Sequence, residues 1–396
     1  MTSVDHVPLR RPLLARDRHE SGRAATPLEL LFDLVFVVAI ASNAAQLHHG
    51  IAEGHYDALV GYTMTWFAIW WAWMGYTWFA SSYDNNDVGF RLLSLLIMAG
   101  ALMLAAGVPD IFADGQSLIV VLGYAVMRLG MVGLWLRAAA ANPAGRRTAL
   151  TYAIGITAVQ LIWVARLWAP EGWLVITFFA CVALELSIPL VAERAGESST
   201  FHPHHIAERY GLLTLIVLGE VILSSVQAVQ GVISTPDGFG WAMVPLVIGG
   251  LLLVFALWWL YFAREHHDIV DDPRCVWIFG YGHLPIFAST AAVGATLAAA
   301  VDVAQHEAHT SARVVALLLA TALAIFVLAL GSIRAVHDRN GFRDLVPSVV
   351  VAVAVWGVAA LGLPIGWSVL AMGLVLTGAV VRHVWWPTQR AVPHPA

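Results

Sequence analysis

Five residues could do chemistry in places where polar groups are costly. Asp33, Arg128, Glu185, Glu220 and His283 each stand inside a long apolar run. An ionisable side chain in hydrocarbon marks a substrate or ion path, a proton relay or a buried pair. Arg128 cannot shed its proton, so it needs a carboxylate, and Asp33 and Glu185 are nearest in depth. Asp33 lies about six residues into its helix, roughly 9–10 Å at 1.5 Å per residue. Arg128 lies about nine residues from Arg137, roughly 14 Å deep by the same rise. Glu185 and His283 are each about eight residues from an end of their runs. His283 sits in YGHLPIF, where Gly282 and Pro285 can loosen a helix. These four residues are expected to share a layer. Glu220 is deeper and falls on the helical face of Arg209, because a separation of about eleven residues makes almost three turns. Three carboxylates then face one deep arginine. The surplus acids suit proton binding, as in proton-coupled transporters.

Other charges stand where helices begin. Thr26-Pro27-Leu28-Glu29 has the form of a capping box with proline at the first helical position. Glu29 is therefore read as finishing a helix end. Glu208 and Arg209 are the corresponding polar residues at the start of a later run. Asp87 and Arg91 follow the aromatic stretch WAWMGYTWFASSY, and Asp271 and Arg274 follow LWWLYFAREHH. Both regions read aromatic run, acidic loop, arginine, small-residue run. They lie about half a chain apart, which predicts two parallel repeats with a site at their interface.

Histidines gather near the same ends. His202, His204 and His205 precede one run, and His266, His267 and Asp268 follow the next. Such sets hold iron in membrane-bound oxidases and desaturases, where the histidine boxes are more numerous and tighter. His204, His205, His266 and His267 are the candidate ligands, but they are read as solvated loop histidines, with no metal and no other cofactor expected. The stripe Trp66, Trp70 and Trp73 is read as packing.

The elements that must position these groups are membrane helices. Of 396 residues, 59% are hydrophobic and 12% charged, with a mean hydropathy of +0.75. A soluble domain carries about twice that charged fraction. Apolar runs of about 20 residues recur along the chain, each long enough to cross a bilayer. The expected fold is an all-α polytopic membrane protein of about twelve transmembrane helices; a β-barrel would show short alternating segments. The runs lie near 27–47, 57–80, 90–112, 117–138, 148–168, 172–193, 204–230, 241–264, 275–300, 312–334, 344–362 and 366–385.

Arginine placement orients them. All 21 basic residues are arginine, and they alternate between sides. Five stand in the tail before the first run, and the even-side loops hold most of the rest. The opposite loops hold only Arg166 and Arg313. This places both termini in the cytoplasm by the positive-inside rule. The expected organisation is an arginine-rich cytoplasmic tail over 1–25, six-helix halves over 26–195 and 196–386, and a short cytoplasmic tail over 387–396. The first run is read as retained, not as a signal peptide. Cys181 and Cys275 imply no disulfide framework. No soluble domain remains and no nucleic-acid partner is expected. The partners are the bilayer and a small solute or proton; the oligomeric state is not legible.

Four blocks, in order, carry a resemblance: ATPLELLFDLVFVVAI, YDNNDVGFRLL with AAGVPDIF, HHIAERYGLLTLIVLGEVI, and YGHLPIF. The chain resembles the bacterial low temperature requirement protein A family from about residue 25 to 385. The resemblance implies a multi-pass inner-membrane protein linked by name to growth in the cold. It brings no agreed catalytic residues. Together with the charge layer and the repeat, it points to a proton-coupled transporter or permease, not an enzyme, with its substrate unread. Two alternatives stay open: a non-transporting membrane factor for cold growth, such as a sensor or assembly partner, and a membrane enzyme using the histidines.

Overall fold

The computed structural model describes residues 8–233, 240–264, 266–272, 275–337 and 342–385. In lipid, a spanning segment must satisfy every backbone N–H and C=O internally, which a helix does. The chain accordingly forms α1 (Pro27–Ala52), α2 (Ala58–Tyr83), α3 (Val88–Asp114), α4 (Leu118–Ala141), α5 (Arg146–Ala165), α6 (Leu174–Ala195) and α7 (Pro203–Ile233). It continues through α8 (Val244–Phe262), the short α9 (His267–Asp271), α10 (Val276–Ala304), α11 (Ala312–His337), α12 (Phe342–Ala360) and α13 (Ile365–Trp385). No strand occurs among the described residues.

Apart from α9, these helices overlie the expected apolar runs, and ten are long and apolar enough to cross a membrane. The protein is thus a multi-pass helical membrane protein. Of the two other long helices, α2 has a local cause: tryptophan and tyrosine crowd it, and each brings a polar N–H or O–H that lowers hydropathy. In α12 the apolar stretch among the described side chains is Leu345–Ala360. Gly115 ends α3 in the left-handed conformation, φ 72°, which a residue without Cβ adopts freely.

The chain divides into two compact units. Unit one holds residues up to 46, 57–216 and 266–271; unit two holds 47–56, 217–265 and 272 onward. The helices α1 and α7 each contribute to both.

In unit one, α3 packs on α4, α4 on α5 and α5 on α6. The first contact is very close: a Cβ on Gly100 would lie 2.6 Å from the Gly123 carbonyl oxygen. Small residues allow such backbone approach in membrane bundles. The arginine-rich tail is bound to this unit from residue 8. Val88 N donates to Pro8 O at 3.1 Å and Arg16 N to Ser82 O at 2.9 Å, and Leu13 is buried.

In unit two, α10 packs on α11, α11 on α12, and α8 on α13. A Cβ on Gly249 would lie 2.5 Å from Leu370 N, so the last contact is again glycine-dependent. The expected tail 387–396 lies outside the described residues.

Candidate functional site

Unit one carries two separate buried ion clusters. The first is built on the start of α1. Thr26 N donates to Glu29 Oε2 at 2.8 Å and Glu29 N donates to Thr26 Oγ1 at 3.3 Å, which completes the capping box. Glu29 does more than cap. Arg23 Nη2 lies 3.1 Å, Arg209 Nη1 3.2 Å and His205 Nε2 3.1 Å from its Oε1. One turn on, Asp33 accepts from Arg209 Nη2 at 2.6 Å and Nε at 3.1 Å, and from the Trp73 indole at 2.8 Å. Glu29, Asp33 and Arg209 are all 0% exposed. The forked guanidinium suits this geometry, because it spans carboxylates one helical turn apart. Tail, α1, α2 and the start of α7 are thereby pinned at one point.

The second cluster lies among α2, α4, α5 and α6. Arg128 Nη2 lies 3.0 Å from Glu185 Oε1. Glu185 also accepts from Trp71 Nε1 at 2.8 Å, Tyr124 OH at 3.2 Å and Trp163 Nε1 at 3.2 Å. Four donors match the acceptor capacity of one carboxylate. Arg128 donates to Tyr124 OH as well and lies over its ring, 4.5 Å from the centroid. The Arg128 Nε, however, is buried with no hydrogen-bond partner.

A cavity of about 60 Å³ adjoins this cluster. Its wall includes Tyr124 and Trp163, both of which hold Glu185. The rest of the wall is mostly apolar, with residues such as Met64, Ile111, Val120 and Phe178, but it also carries several buried polar atoms. Thr65 Oγ1, Gln116 Oε1, both amide atoms of Gln160 and Arg166 Nε are buried without hydrogen-bond partners. Each such group costs roughly 1–3 kcal/mol when left unsatisfied. Arg166 is fixed by a 2.8 Å bond from Nη2 to the carbonyl of Leu174, the first residue of α6. The space is large enough for a few waters, and its polar atoms point to an occupant that makes hydrogen bonds.

A family model for the bacterial low temperature requirement A protein matches residues 24–381. The chain belongs to the low temperature requirement A family. It is also similar to an uncharacterized protein of Rhizobium meliloti (strain 1021), 26% identical over 289 residues, which cover 69% of this chain and 68% of that protein. Of the blocks that resemble the low temperature requirement A family, the first supplies Glu29 and Asp33 and the third supplies His205 and Arg209, and these meet in one cluster. Arg23 reaches the second block, 3.9 Å from Asp84.

These placements correct the expected charge layer. Asp33 pairs with Arg209 and not with Arg128, whose partner is Glu185. Two deep arginines therefore serve two clusters, instead of one arginine facing three acids. Arg209 falls in unit one and Glu220 in unit two. Glu220 is only half-buried, and Ser224 Oγ donates to it at 3.3 Å. His283 is fully buried in unit two. Its Nδ1 donates to the Phe279 carbonyl at 2.7 Å, so its Nε2 accepts from Tyr261 OH at 3.0 Å.

The helix-end and loop residues have mostly local duties. Glu208 accepts from Ala25 N at 3.1 Å. Asp87 caps α3 by accepting from Phe90 N at 2.7 Å, and also accepts from Arg11 N at 2.8 Å and Arg137 Nη2 at 2.5 Å. Burial alone would raise its pKa, but these donors outweigh burial and hold the carboxyl below its usual range. Asp84 goes the other way: burial and the Glu29 charge push it up. Arg91 Nε donates to Asn86 Oδ1 at 2.9 Å, and Arg18 Nη2 to Asp271 Oδ1 at 2.9 Å. Arg274 lies outside the described residues.

The histidines are not simply solvated. His202, His205 and His266 are buried; the first two stand where α7 begins at Pro203 and the bound tail reaches its start. His202 Nε2 donates to the Glu20 carbonyl at 2.8 Å. His204 is exposed and stacks on His267, with centroids 4.0 Å apart. Both line a cavity of about 470 Å³ with His202, Arg18, Asp268 and Asp271. Its charges are largely engaged: Arg18 with Asp271 and His267 with Asp268.

Several of these residues had weak sequence signals. Arg23 was one tail arginine among five. Trp73 belongs to the stripe that reads as packing and Trp71 stands outside it, although a buried indole N–H usually needs an acceptor. Thr65 and Gln160 are neutral and do not interrupt hydropathy.

Proposed function

We propose that this protein is a transporter or permease of the bacterial inner membrane that moves a small polar solute coupled to protons. The observation that carries this reading is the set of buried, partnerless polar atoms around the small cavity in unit one beside the Arg128–Glu185 pair. A structural core would fill that space with apolar groups; here Thr65, Gln116, Gln160 and Arg166 present unused hydrogen-bonding atoms. Arg128 offers a fixed positive charge with one N–H unused. Glu220 is the proton-exchanging acid in this reading, because its described partner is a neutral hydroxyl. The Glu29–Asp33–Arg209 cluster is a structural clamp.

The same neighbour order, α3-α4-α5-α6 and α10-α11-α12-α13, supports two parallel repeats. Arginine placement supports cytoplasmic termini. The chain acts by transport and not by catalysis in this reading. A second reading, a non-transporting membrane factor for cold growth, is favoured by the completeness of the first ion cluster.

Purified protein in liposomes containing a pH-sensitive dye separates the two. A transporter conducts protons after a pH jump, and Glu220→Gln cuts that flux at least about tenfold, as expected for loss of a proton-transfer group. Absence of flux in the folded wild type, with a stable co-purifying partner, would establish the second reading instead.

A further inference from the structure

We propose that Asp272, Cys275 and His337 in unit two form a binding site for a zinc-class divalent cation. This goes beyond the transport reading and does not depend on it. The carboxylate oxygen, the thiol sulfur and an imidazole nitrogen all lie within 4.8 Å of one another. Around a tetrahedral ion with bonds of about 2.0–2.3 Å, ligand atoms stand roughly 3.3–3.8 Å apart. Small side-chain rotations therefore suffice to close the set on an ion.

The local structure supplies the donors without large rearrangement. Cys275 N donates to the Asp272 carbonyl at 2.9 Å, so these two donors are held close together just before α10 begins. Cys275 is buried and is not in a disulfide. His337 is the last residue of α11, where the negative helix end favours a cation. Its Nδ1 is buried with no hydrogen-bond partner, a cost that metal ligation would remove. Arg334, one turn earlier, donates to the Leu260 carbonyl at 2.5 Å, which directs its charge to the end of α8.

The donor set selects the ion. Thiolate, imidazole and carboxylate together suit Zn²⁺, whereas Mg²⁺ and Ca²⁺ take oxygen ligands. Three protein ligands leave a fourth position open. The ion would tie the start of α10 to the end of α11. Sequence spacing could not reveal the site, since His337 is remote in the chain from the other two donors.

The test uses full-length protein in detergent, stripped with a chelator and titrated with Zn²⁺ and with Co²⁺. Binding of about one equivalent is expected, with a thiolate-to-cobalt charge-transfer band. Cys275→Ser should abolish the band, and His337→Ala should weaken binding by at least about 10–100-fold, the loss seen even for groups behind the ligands. Cys181→Ser, the other cysteine, should leave both unchanged. If Cys275→Ser does not fold, the Cys181→Ser protein gives the answer: Zn²⁺ must slow alkylation of Cys275. No saturable binding, or binding that His337→Ala leaves unchanged, or alkylation indifferent to Zn²⁺, would overturn the assignment.

Discussion

The two units hold their deep polar groups in different ways. In unit one, Asp33 and Glu185 are each gripped by an arginine and by indole N–H groups, and both are sealed from solvent. In unit two, Glu220 is half-buried against a serine, and His283 makes neutral bonds to a carbonyl and a tyrosine. A charge taken out of water must be compensated nearly completely. Unit one meets that demand with two fixed pairs; unit two avoids it with a neutral imidazole and a partly accessible acid. The difference teaches that a carboxylate deep in a membrane helix is not by itself a proton carrier. In the proposed function, the carrier is the acid left with room to change, Glu220.

Breaking the grip in unit one should have the largest effect. Arg209→Met leaves Glu29 and Asp33 buried beside each other with fewer cations, and should cost about 3–5 kcal/mol. The readout is loss of folded, monodisperse protein and a lowered unfolding temperature in detergent. Glu185→Gln should cost about as much by stranding Arg128. The double variant Glu185→Met with Arg128→Met should recover most of that stability, because an apolar pair often substitutes for a buried ion pair. Proton flux in liposomes should stay lost. Recovery of stability without recovery of flux separates function from packing at this cluster.

The same change in unit two should be milder. His283→Phe removes the bonds to the Phe279 carbonyl and the Tyr261 hydroxyl, for about 1–3 kcal/mol. Smaller still, Asp87→Asn keeps the α3 cap, since Asn caps about as well as Asp, but removes the charge paired with Arg137, for about 1 kcal/mol or less. Because Asp87 is held below the usual carboxylate range, its contribution is present above that range. It is lost as pH falls through the lowered pKa. Thermal unfolding against pH should show this acid-side loss in the wild type and a flatter profile in Asp87→Asn.

The helices were legible because hydropathy and the demand for internal backbone bonding leave little choice in lipid. The capping box at Glu29 was legible because it is local. The pairing was not. Depth counted in residues made Arg128 suit Asp33 and Glu185 equally, and only the direction of each helix face decides for Glu185. Arg209 read as a helix-end residue because it stands near the start of α7; the bound tail and α1 bury it. Thr65, Gln116 and Gln160 left no trace, since neutral polar residues in a span are common and become informative only when their atoms are found unpartnered around a cavity.

The proposed path through unit one is tested most directly at Gln160. Gln160→Cys is made in the Cys181→Ser protein, reconstituted in dye-loaded liposomes, and treated with a small polar thiol reagent. The Cys181→Ser parent, treated alike, accounts for any reaction at Cys275. The predicted result is proton flux before treatment and at least about a tenfold loss after it, as expected when a bulky group closes a cavity this small. Full modification of Cys at this position with undiminished flux would contradict a transport path beside Arg128 and Glu185.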